Sequence, residues 1–321
     1  MSASSELPRG LDALRGAGIG LPSVAAKPPG DGPAPSILLV RDGDERPDSL
    51  LGSEDSDTLR GFGGRDTLIG LGGDDDLQGG DGPDYLYGQE GDDSLSGGDG
   101  DDYLSGGDGA DAFDGGAGFD MASYEFVAQR IFADLQGTTD RGGPAAGDTF
   151  VSVEGIFGGF ASDDLRGDGG GNALDGGPGW DRLYGRAGND TLDGGGGGDA
   201  LYGNLGADVM YGGDDLMRDR FIYFSAAESP AGAGNRDRIV DFHPGEDRIE
   251  LSRIDADTTQ GFKQAFTFIG NAGFSGTAGE LGYRLEGGNT VVMADRDGDG
   301  TADFEIELTG ELSLSAGDFL I

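Results

Sequence analysis

A nine-residue period organises most of this chain and limits the folds it can adopt. Eight consecutive units fill residues 52–123 without a slip in register, and six more fill residues 158–211. In all fourteen units the first residue is Gly and the eighth is apolar, and the sixth is Asp except at Asn172. With 68 Gly and a net charge of −40, the composition alone is typical of disorder, but a disordered segment has no reason to keep the phase.

Each position of the unit has a physical role. Glycines permit positive φ and close backbone approach, as a tight turn requires. The last three residues suffice for one rung of a parallel sheet, with the eighth side chain pointing inward and the seventh and ninth outward. Stacked units would bury the eighth residues in a narrow core. The pattern therefore predicts an all-β fold built from stacked parallel strands.

The units resemble the RTX, or haemolysin-type, calcium-binding nonapeptide repeats. This resemblance implies a parallel β-roll, a kind of β-solenoid, in which two units make one coil. It also implies that each Ca²⁺ lies between a turn and the turn two units later, held by sixth-position carboxylates and backbone carbonyls. Hard oxygen ligands in flexible turns suit calcium better than magnesium or zinc, and the chain has no Cys to supply thiolates.

Carried onto this chain, the resemblance places the sixth-position residues in columns that line both sides of the roll. In the first block one column is Asp57, Asp75, Asp93 and Asp111, and the opposite one is Asp66, Asp84, Asp102 and Asp120. In the second block Asp163, Asp181 and Asp199 face Asn172, Asp190 and Asp208. Counting the gaps between successive turns predicts about ten calcium sites. The sites at block ends are the least regular, since Asn172 is uncharged and Asp55 and Ala161 replace turn glycines.

The rest of the chain divides by composition. Residues 1–36, rich in Ala, Gly, Pro and Ser, predict a flexible leader. We assign residues 37–123 to the first block, 124–157 to an inserted β segment with strands near 131–135 and 149–156, and 158–217 to the second block. The insertion is expected to interrupt one continuous roll, although a hinge between two rolls is an alternative. Residues 218–321 form a C-terminal β-rich domain, with strands expected near 220–224, 238–242, 247–251, 266–269, 281–285, 289–293 and 304–308.

Three stretches of that domain carry a second resemblance: NRDRIVDFHPGEDRIELSRIDA, AFTFIG and GNTVVMADRDGDGTADFEIELTG. They are similar to the C-terminal domain of the serralysin-type secreted metalloproteases of peptidase family M10. The resemblance covers roughly residues 50–321 and departs at 212–219, where the turn is longer than the family's usual one. It implies a cap for the roll and a type I export module, and hence bacterial secretion through an uncleaved signal at the C-terminus, Asp318–Ile321.

No catalytic constellation accompanies these features. A zinc protease of that family needs an H-E-x-x-H helix, and this chain has one histidine, His243, in the turn DFHPGED. No Ser or Cys nucleophile with a supporting His is present either, nor a site for an organic cofactor. We therefore expect no activity of its own. The alternative is the calcium-binding and export half of a metalloprotease or polysaccharide-modifying enzyme whose catalytic domain is missing.

The remaining predictions concern partners and a further metal site. Asp295, Asp297, Asp299 and Asp303 resemble the start of an EF-hand loop, but Ile306 replaces the closing Glu, so a polar hairpin turn is the alternative.

The net charge of −40 excludes nucleic acid as a partner, and no apolar run is long enough to span a membrane. Calcium and a type I transporter are the expected partners. A cell surface or polysaccharide is a further candidate, because six tyrosines occupy outward strand positions, although Tyr also simply favours pleated surfaces: Tyr85, Tyr87, Tyr103, Tyr184, Tyr202 and Tyr211.

Overall fold

The computed structural model describes residues 39–137, 142–213 and 215–321, so the predicted leader at 1–36 lies outside the described residues. Within these ranges the chain is all-β apart from one short 3-10 turn, Ala316–Asp318. It forms two compact units: unit 1 comprises the described part of Met1–Ala122 with Thr149–Val153, and unit 2 comprises Ser123–Asp148 with Glu154–Ile321. In the part of the chain described, no helix has the length and apolar character needed to cross a bilayer.

Unit 1 is a parallel β-solenoid. One of its sheets contains, in spatial order, β1 (Val40–Asp42), β3 (Thr58–Gly63), β5 (Asp76–Asp81), β7 (Ser94–Asp99), β9 (Ala112–Ala117) and β12 (Thr149–Val151). The other contains β2 (Ser49–Leu51), β4 (Thr67–Gly72), β6 (Tyr85–Glu90), β8 (Tyr103–Asp108) and β10 (Met121–Ser123). Consecutive strands alternate between the sheets, and paired residues such as Leu59 and Leu77 stand two units apart. Two nonapeptides therefore make one coil, as predicted.

Unit 2 continues the same construction with longer connections. One sheet contains β11 (Phe132–Asp134), β14 (Asp164–Arg166), β16 (Arg182–Ala187), β18 (Ala200–Leu205), β20 (Arg220–Ile222), β22 (Arg248–Glu250) and β27 (Phe319–Leu320). The other contains β13 (Gly155–Phe157), β15 (Ala173–Asp175), β17 (Thr191–Asp193), β19 (Val209–Tyr211), β21 (Asp237–Ile239), β26 (Phe304–Leu308), β25 (Asn289–Asp295), β24 (Glu280–Glu286) and β23 (Thr267–Gly270). Strand β25 is antiparallel to both of its neighbours, whereas the rungs before it are parallel.

The eighth-position residues form the core. All fourteen expose at most 1% of their surface: Leu59, Leu68, Leu77, Leu86, Leu95, Leu104, Phe113, Ala122, Leu165, Leu174, Leu183, Leu192, Leu201 and Met210. Phe221, Ile239 and Ile249 extend this apolar stack in unit 2, each with no exposed surface. Burying one such side chain contributes roughly 1.5–3 kcal/mol, so the regular spacing of these residues explains why the chain folds in this phase.

Glycine is required where successive turns touch. Gly197 has φ +137°, and a Cβ there would overlap the Gly179 carbonyl oxygen of the turn below. In most units the second position also takes positive φ, even when it is not glycine, as at Phe62 (+75°) and Gln89 (+83°). In most rungs of unit 1 the strand runs through that position, so it covers six residues instead of the three expected from the repeat.

Two other features differ from the sequence prediction. The strand expected near 149–156 is two strands, β12 in unit 1 and β13 in unit 2, separated by Ser152 with φ +49°. The repeats also begin one unit earlier than predicted, at Gly43 instead of residue 52. In this additional unit Asp48 and Leu50 occupy the sixth and eighth positions, and β2 forms the rung.

Candidate metal centre

The sixth-position side chains stack in columns, two in each unit. Their Oδ1 atoms accept the backbone N–H of the sixth-position residue 18 positions earlier, as when Asp57 donates to Asp75 at 2.7 Å and Asp84 to Asp102 at 2.7 Å. Asp163 donates to Asp181 in the same way at 2.6 Å. The structure thus brings the predicted residues of each column together, and every one of them is buried: Asp57, Asp75, Asp93 and Asp111; Asp66, Asp84, Asp102 and Asp120; Asp163, Asp181 and Asp199; Asn172, Asp190 and Asp208.

The second carboxylate oxygen lies directly against a turn glycine. The Oδ2 atoms that are buried without a hydrogen bond include those of Asp66, Asp75, Asp84, Asp93, Asp102, Asp181, Asp190, Asp199 and Asp208. A Cβ on Gly70 would run into Asp75 Oδ2 and stand 2.9 Å from the Gly88 carbonyl oxygen. The missing side chain therefore leaves a cradle lined by carboxylate and carbonyl oxygens. Such an all-oxygen donor set fits Ca²⁺, which takes carboxylates and backbone carbonyls as ligands.

The electrostatics of the columns favour a cation. Burial raises the pKa of Asp181 to about 8 and those of Asp75, Asp102 and Asp190 to about 7, from 3.8 for a free side chain. Backbone N–H donors lower these pKa values in part, whereas the next carboxylates in the column raise them further. A buried carboxylate without an opposite charge is unstable in its ionised form, and a divalent cation in the cradle would supply that charge.

The first rungs of the columns differ from the inner ones. The Oδ2 atoms of Asp57 and Asp163 accept N–H groups of their own turns, from Ser53 and Gly159 respectively. Asn172 Oδ1 accepts the Asp168 N–H at 2.7 Å. These oxygens are already partnered, so the end positions offer a poorer cradle than the inner positions.

The structure also extends the columns to four residues that the repeat did not reveal: Asp48, Asp219, Asp237 and Asp247. Asp199 donates its N–H to Asp219, Asp219 to Asp247, and Asp208 to Asp237, at 2.9, 3.1 and 2.9 Å. The spacings are 20, 28 and 29 residues, so the glycine period cannot show them. A short sequence motif marks three of them: Asp219, Asp237 and Asp247 are each followed by Arg and an apolar strand residue, in DRF, DRI and DRI.

The EF-hand-like loop connects β25 and β26. Ligand oxygens of Asp295, Asp297 and Asp303 lie within 4.8 Å of one another, and Asp295 is buried. However, Asp295 already accepts N–H groups from Gly298 and Gly300 at 2.7 and 2.9 Å. Asp299 lies outside this group and accepts the Thr301 N–H. The loop thus satisfies its own carboxylates, as a polar hairpin turn does, and a calcium site there stays a prediction.

His243 lies in the turn between β21 and β22. Its side chain is 45% exposed, and its Nδ1 stands 3.8 Å from Asp247 Oδ2.

The tyrosines do not form an open surface for sugar rings. Tyr85, Tyr87 and Tyr103 are each exposed by less than a tenth. Tyr184 stacks on Tyr202 with ring centroids 4.4 Å apart, and the Arg166 guanidinium covers the other face of this pair. The ring faces that would stack on a sugar are therefore occupied within the protein.

The fold and the columns define an RTX-type calcium-binding β-solenoid, and comparison with known families agrees. The RTX calcium-binding nonapeptide repeat matches residues 42–77. The family described as peptidase M10 serralysin C terminal matches residues 61–321, and the chain belongs to this family. The match is to the C-terminal domain of these proteases and includes no catalytic domain. Proteins carrying these two kinds of domain are typically secreted by bacteria.

Two solved structures are also similar to this chain. Both are solution structures of subunits of the Azotobacter vinelandii mannuronan C5-epimerase. AlgE6R2 is 28% identical, with 52% of this chain and 91% of that one covered and a TM-score of 0.27. AlgE6R3 is 30% identical, with coverages of 50% and 77% and a TM-score of 0.20. These TM-scores are too low to equate the folds. A comparison with curated proteins found no match.

Proposed function

We propose that the chain is a calcium-binding extracellular protein that folds on calcium, leaves the cell through a type I secretion system and has no catalytic activity of its own. The observation that carries this proposal is the set of buried, hydrogen-bond-free Oδ2 atoms facing oxygen-lined cradles. The cradles exist only when the turns are stacked. Calcium binding free energy therefore becomes folding free energy.

The proposal includes the ligands and the division of the chain. About ten Ca²⁺ would lie between successive sixth-position residues of the repeats. Asn172 and the Asp295, Asp297, Asp299 and Asp303 loop are further candidates. The leader (1–36), the first block (37–123), the insertion (124–157), the second block (158–217) and the cap and export domain (218–321) keep the roles assigned to them above. A cell-surface or polysaccharide partner is also retained as a candidate.

Export is proposed to depend on the last four residues, Asp318–Ile321. In the fold Asp318 is buried, its Oδ1 accepts the Gly245 N–H, and Phe319 pairs with Ile249 in β22. A signal at this position is accessible to a transporter only before the last strand forms. Low cytosolic calcium would keep the chain unfolded and the signal accessible, and calcium in the range ~10⁻⁴–10⁻³ M outside would then fold it.

Deletion of residues 318–321 tests the export proposal in a host with the cognate transporter. The truncated chain should stay in the cytoplasm, whereas Phe221→Ala, which weakens the fold but leaves the terminus intact, should still reach the medium. The fraction in the medium is measured by immunoblot. Undiminished export of the truncated chain would contradict the placement of the signal.

A second candidate function follows from the family match, because the matched domain is the C-terminal part of metalloproteases. In this reading the chain is the calcium-binding and export half of a protease or polysaccharide-modifying enzyme. A casein or gelatin assay with calcium and zinc present tests whether the chain itself is inactive. Proteolysis that persists through purification and disappears with a chelator would overturn the proposal that the chain itself is inactive.

A further inference from the structure

An arginine lies where the insertion meets the second block. The guanidinium of Arg186 donates two parallel hydrogen bonds to the carboxylate of Asp134, each 2.8 Å long, and a third to the carbonyl oxygen of Gly167. Asp134 exposes 6% of its surface, and the Arg186 side chain exposes 26%. A bidentate pair of this kind is geometrically specific and belongs to the stronger ion pairs in proteins. Arg186 therefore joins two segments that are 52 residues apart in the sequence.

The Gly167 carbonyl holds a position that elsewhere lines a cradle. In a regular coil the carbonyl oxygen of a first-position Gly lies against the first-position Gly of the coil below, as Gly185 O does at Gly167. The coil below Gly167 has Leu135 at this position, because Leu135 donates its N–H to Arg166 as Gly167 does to Tyr184. Leu135 is buried and has the Cβ that glycine lacks. Carbon atoms therefore take up space that stays open in the other coils. We call this place the 135–167 gap.

The uncharged member of the column also fits this gap. Asn172 Nδ2 donates to the Glu154 carbonyl oxygen of the coil below at 3.3 Å, while its Oδ1 accepts the Asp168 N–H at 2.7 Å. In the next coil the same position is Asp190, whose Oδ1 accepts the Asn172 N–H. An ionised aspartate could not donate the bond to Glu154. The sequence thus supplies an amide, and not a carboxylate, on the side of Asn172 that faces the insertion.

We propose that the Arg186 guanidinium takes the place of Ca²⁺ at the 135–167 gap, so that calcium neither enters this gap nor displaces the arginine. The inference rests on the calcium-binding function proposed above, because it concerns which gaps the metal fills. A guanidinium is permanently charged, and here it neutralises Asp134 and satisfies the Gly167 carbonyl together. The insertion is therefore fixed to the second block by a cation that belongs to the chain, at every calcium concentration that keeps the chain folded.

The calcium number of Asp134→Asn is the first test. Bound calcium is measured on the full chain by equilibrium dialysis with elemental analysis, and circular dichroism checks the fold. Asp134→Asn should bind as many calcium ions as the wild type, because the carboxylate that it removes holds arginine and not metal. Asp181→Asn, which removes a carboxylate whose Oδ2 is buried without a hydrogen bond, is the comparison and should bind fewer. One ion fewer in Asp134→Asn would overturn the inference.

Urea unfolding of Arg186→Gln in calcium is the second test. At saturating calcium its midpoint should lie roughly 0.5–1 M below that of the wild type, because the Asp134 carboxylate is left buried without its cation. Arg182→Gln removes an exposed guanidinium from the same strand, β16, and should leave the midpoint unchanged. Raising calcium well beyond saturation should not close the difference between Arg186→Gln and the wild type. A difference that disappears would mean that calcium can fill the gap, against the inference.

Arg186→Lys keeps the inference testable if Arg186→Gln does not fold. Lysine keeps the positive charge but cannot form the two parallel hydrogen bonds, so its midpoint should also stay below that of the wild type at high calcium, with the calcium number unchanged. A midpoint that reaches the wild-type value as calcium rises would contradict the inference. Wild-type calcium binding with one ion fewer in Asp134→Asn would leave the proposed function standing and overturn only the arginine gap. A wild-type chain that binds no calcium would overturn both.

Discussion

Asp102 illustrates how a single aspartate serves both the fold and the metal. Its Oδ1 accepts the Asp84 N–H at 2.7 Å, while its Oδ2 is buried without a hydrogen bond. The hydrogen bond requires only an acceptor, which an amide also provides. Cation binding requires the negative charge. Replacing Asp102 by Asn therefore separates the two roles.

The variant Asp102→Asn should have opposite effects with and without calcium. In chelator it should show more β signal than the wild type, because a buried charge near Asp84 and Asp120 is removed. In calcium it should be less stable than the wild type, by about 3 kcal/mol for each site lost at roughly a hundredfold excess of calcium over Kd. Circular dichroism in chelator and thermal unfolding in calcium measure these two effects. Asp114→Asn, at an exposed ninth position of unit 1, is the control and should change neither value.

The raised pKa values predict how the calcium-free protein responds to pH. Burial raises the pKa of Asp75, Asp102 and Asp190 from 3.8 to about 7, so the fold retains protons that the unfolded chain has released. The corresponding stability is fully present below about pH 4 and is lost as the pH rises through about 7. In chelator the far-ultraviolet circular dichroism should therefore show more β signal near pH 5 than near pH 8. Equal signals, or a stronger one at the alkaline value, would contradict the buried carboxylates.

At the level of strands and turns, the nine-residue period determines which parts of the fold could be predicted from the sequence. Each first-position Gly corresponds to a turn and each eighth-position apolar residue to a rung, so the spacing predicted the core. The columns followed from the resemblance to RTX repeats, in which two units make one coil. Beyond residue 211 the rungs are separated by loops whose lengths the repeat does not set, and Asp219, Asp237 and Asp247 were missed. The break at Ser152 was also missed, because Ser does not mark a position of positive φ.

Two glycines of unit 2 provide a matched test of turn stacking. Gly197→Ala places a Cβ at φ +137° and against the Gly179 carbonyl, whereas Gly169→Ala places it in open space without positive φ. The conformational penalty at Gly197 is about 1–2 kcal/mol before the overlap is counted. Urea unfolding in calcium should show a large loss for Gly197→Ala and almost none for Gly169→Ala. Similar stabilities of the two variants would contradict close turn-to-turn packing.

The connection between Asp208 and Asp237 contains residues that sequence reasoning could not place. Glu228 and Tyr223 stand there with no repeat phase, and only the tertiary structure brings Tyr223 beside Asp237. The Asp-Arg-apolar signal would have located Asp237. No spacing rule locates Glu228, because its position depends on how the segment after β20 crosses to β21.

At the scale of the whole chain, charge determines when the fold is stable. The net charge is −40, and each unit contains columns of buried carboxylates. Ten Ca²⁺, the number proposed for the repeats, would contribute about +20 and place that charge beside the buried oxygens. Without them, repulsion within the columns acts against the apolar core. Calcium is therefore expected to decide between the folded and the unfolded chain.

Calcium titration of chelator-treated protein, followed by far-ultraviolet circular dichroism at about pH 8, tests this coupling most directly. We expect a largely unfolded spectrum in chelator and a cooperative gain of β signal as calcium rises. Magnesium at the same concentrations should produce little change, because Mg²⁺ demands near-ideal octahedral geometry and loses its water reluctantly, whereas Ca²⁺ accepts irregular sets of carboxylate and carbonyl oxygens. A full β signal in chelator, unchanged by added calcium, would contradict the proposal that this chain folds on calcium.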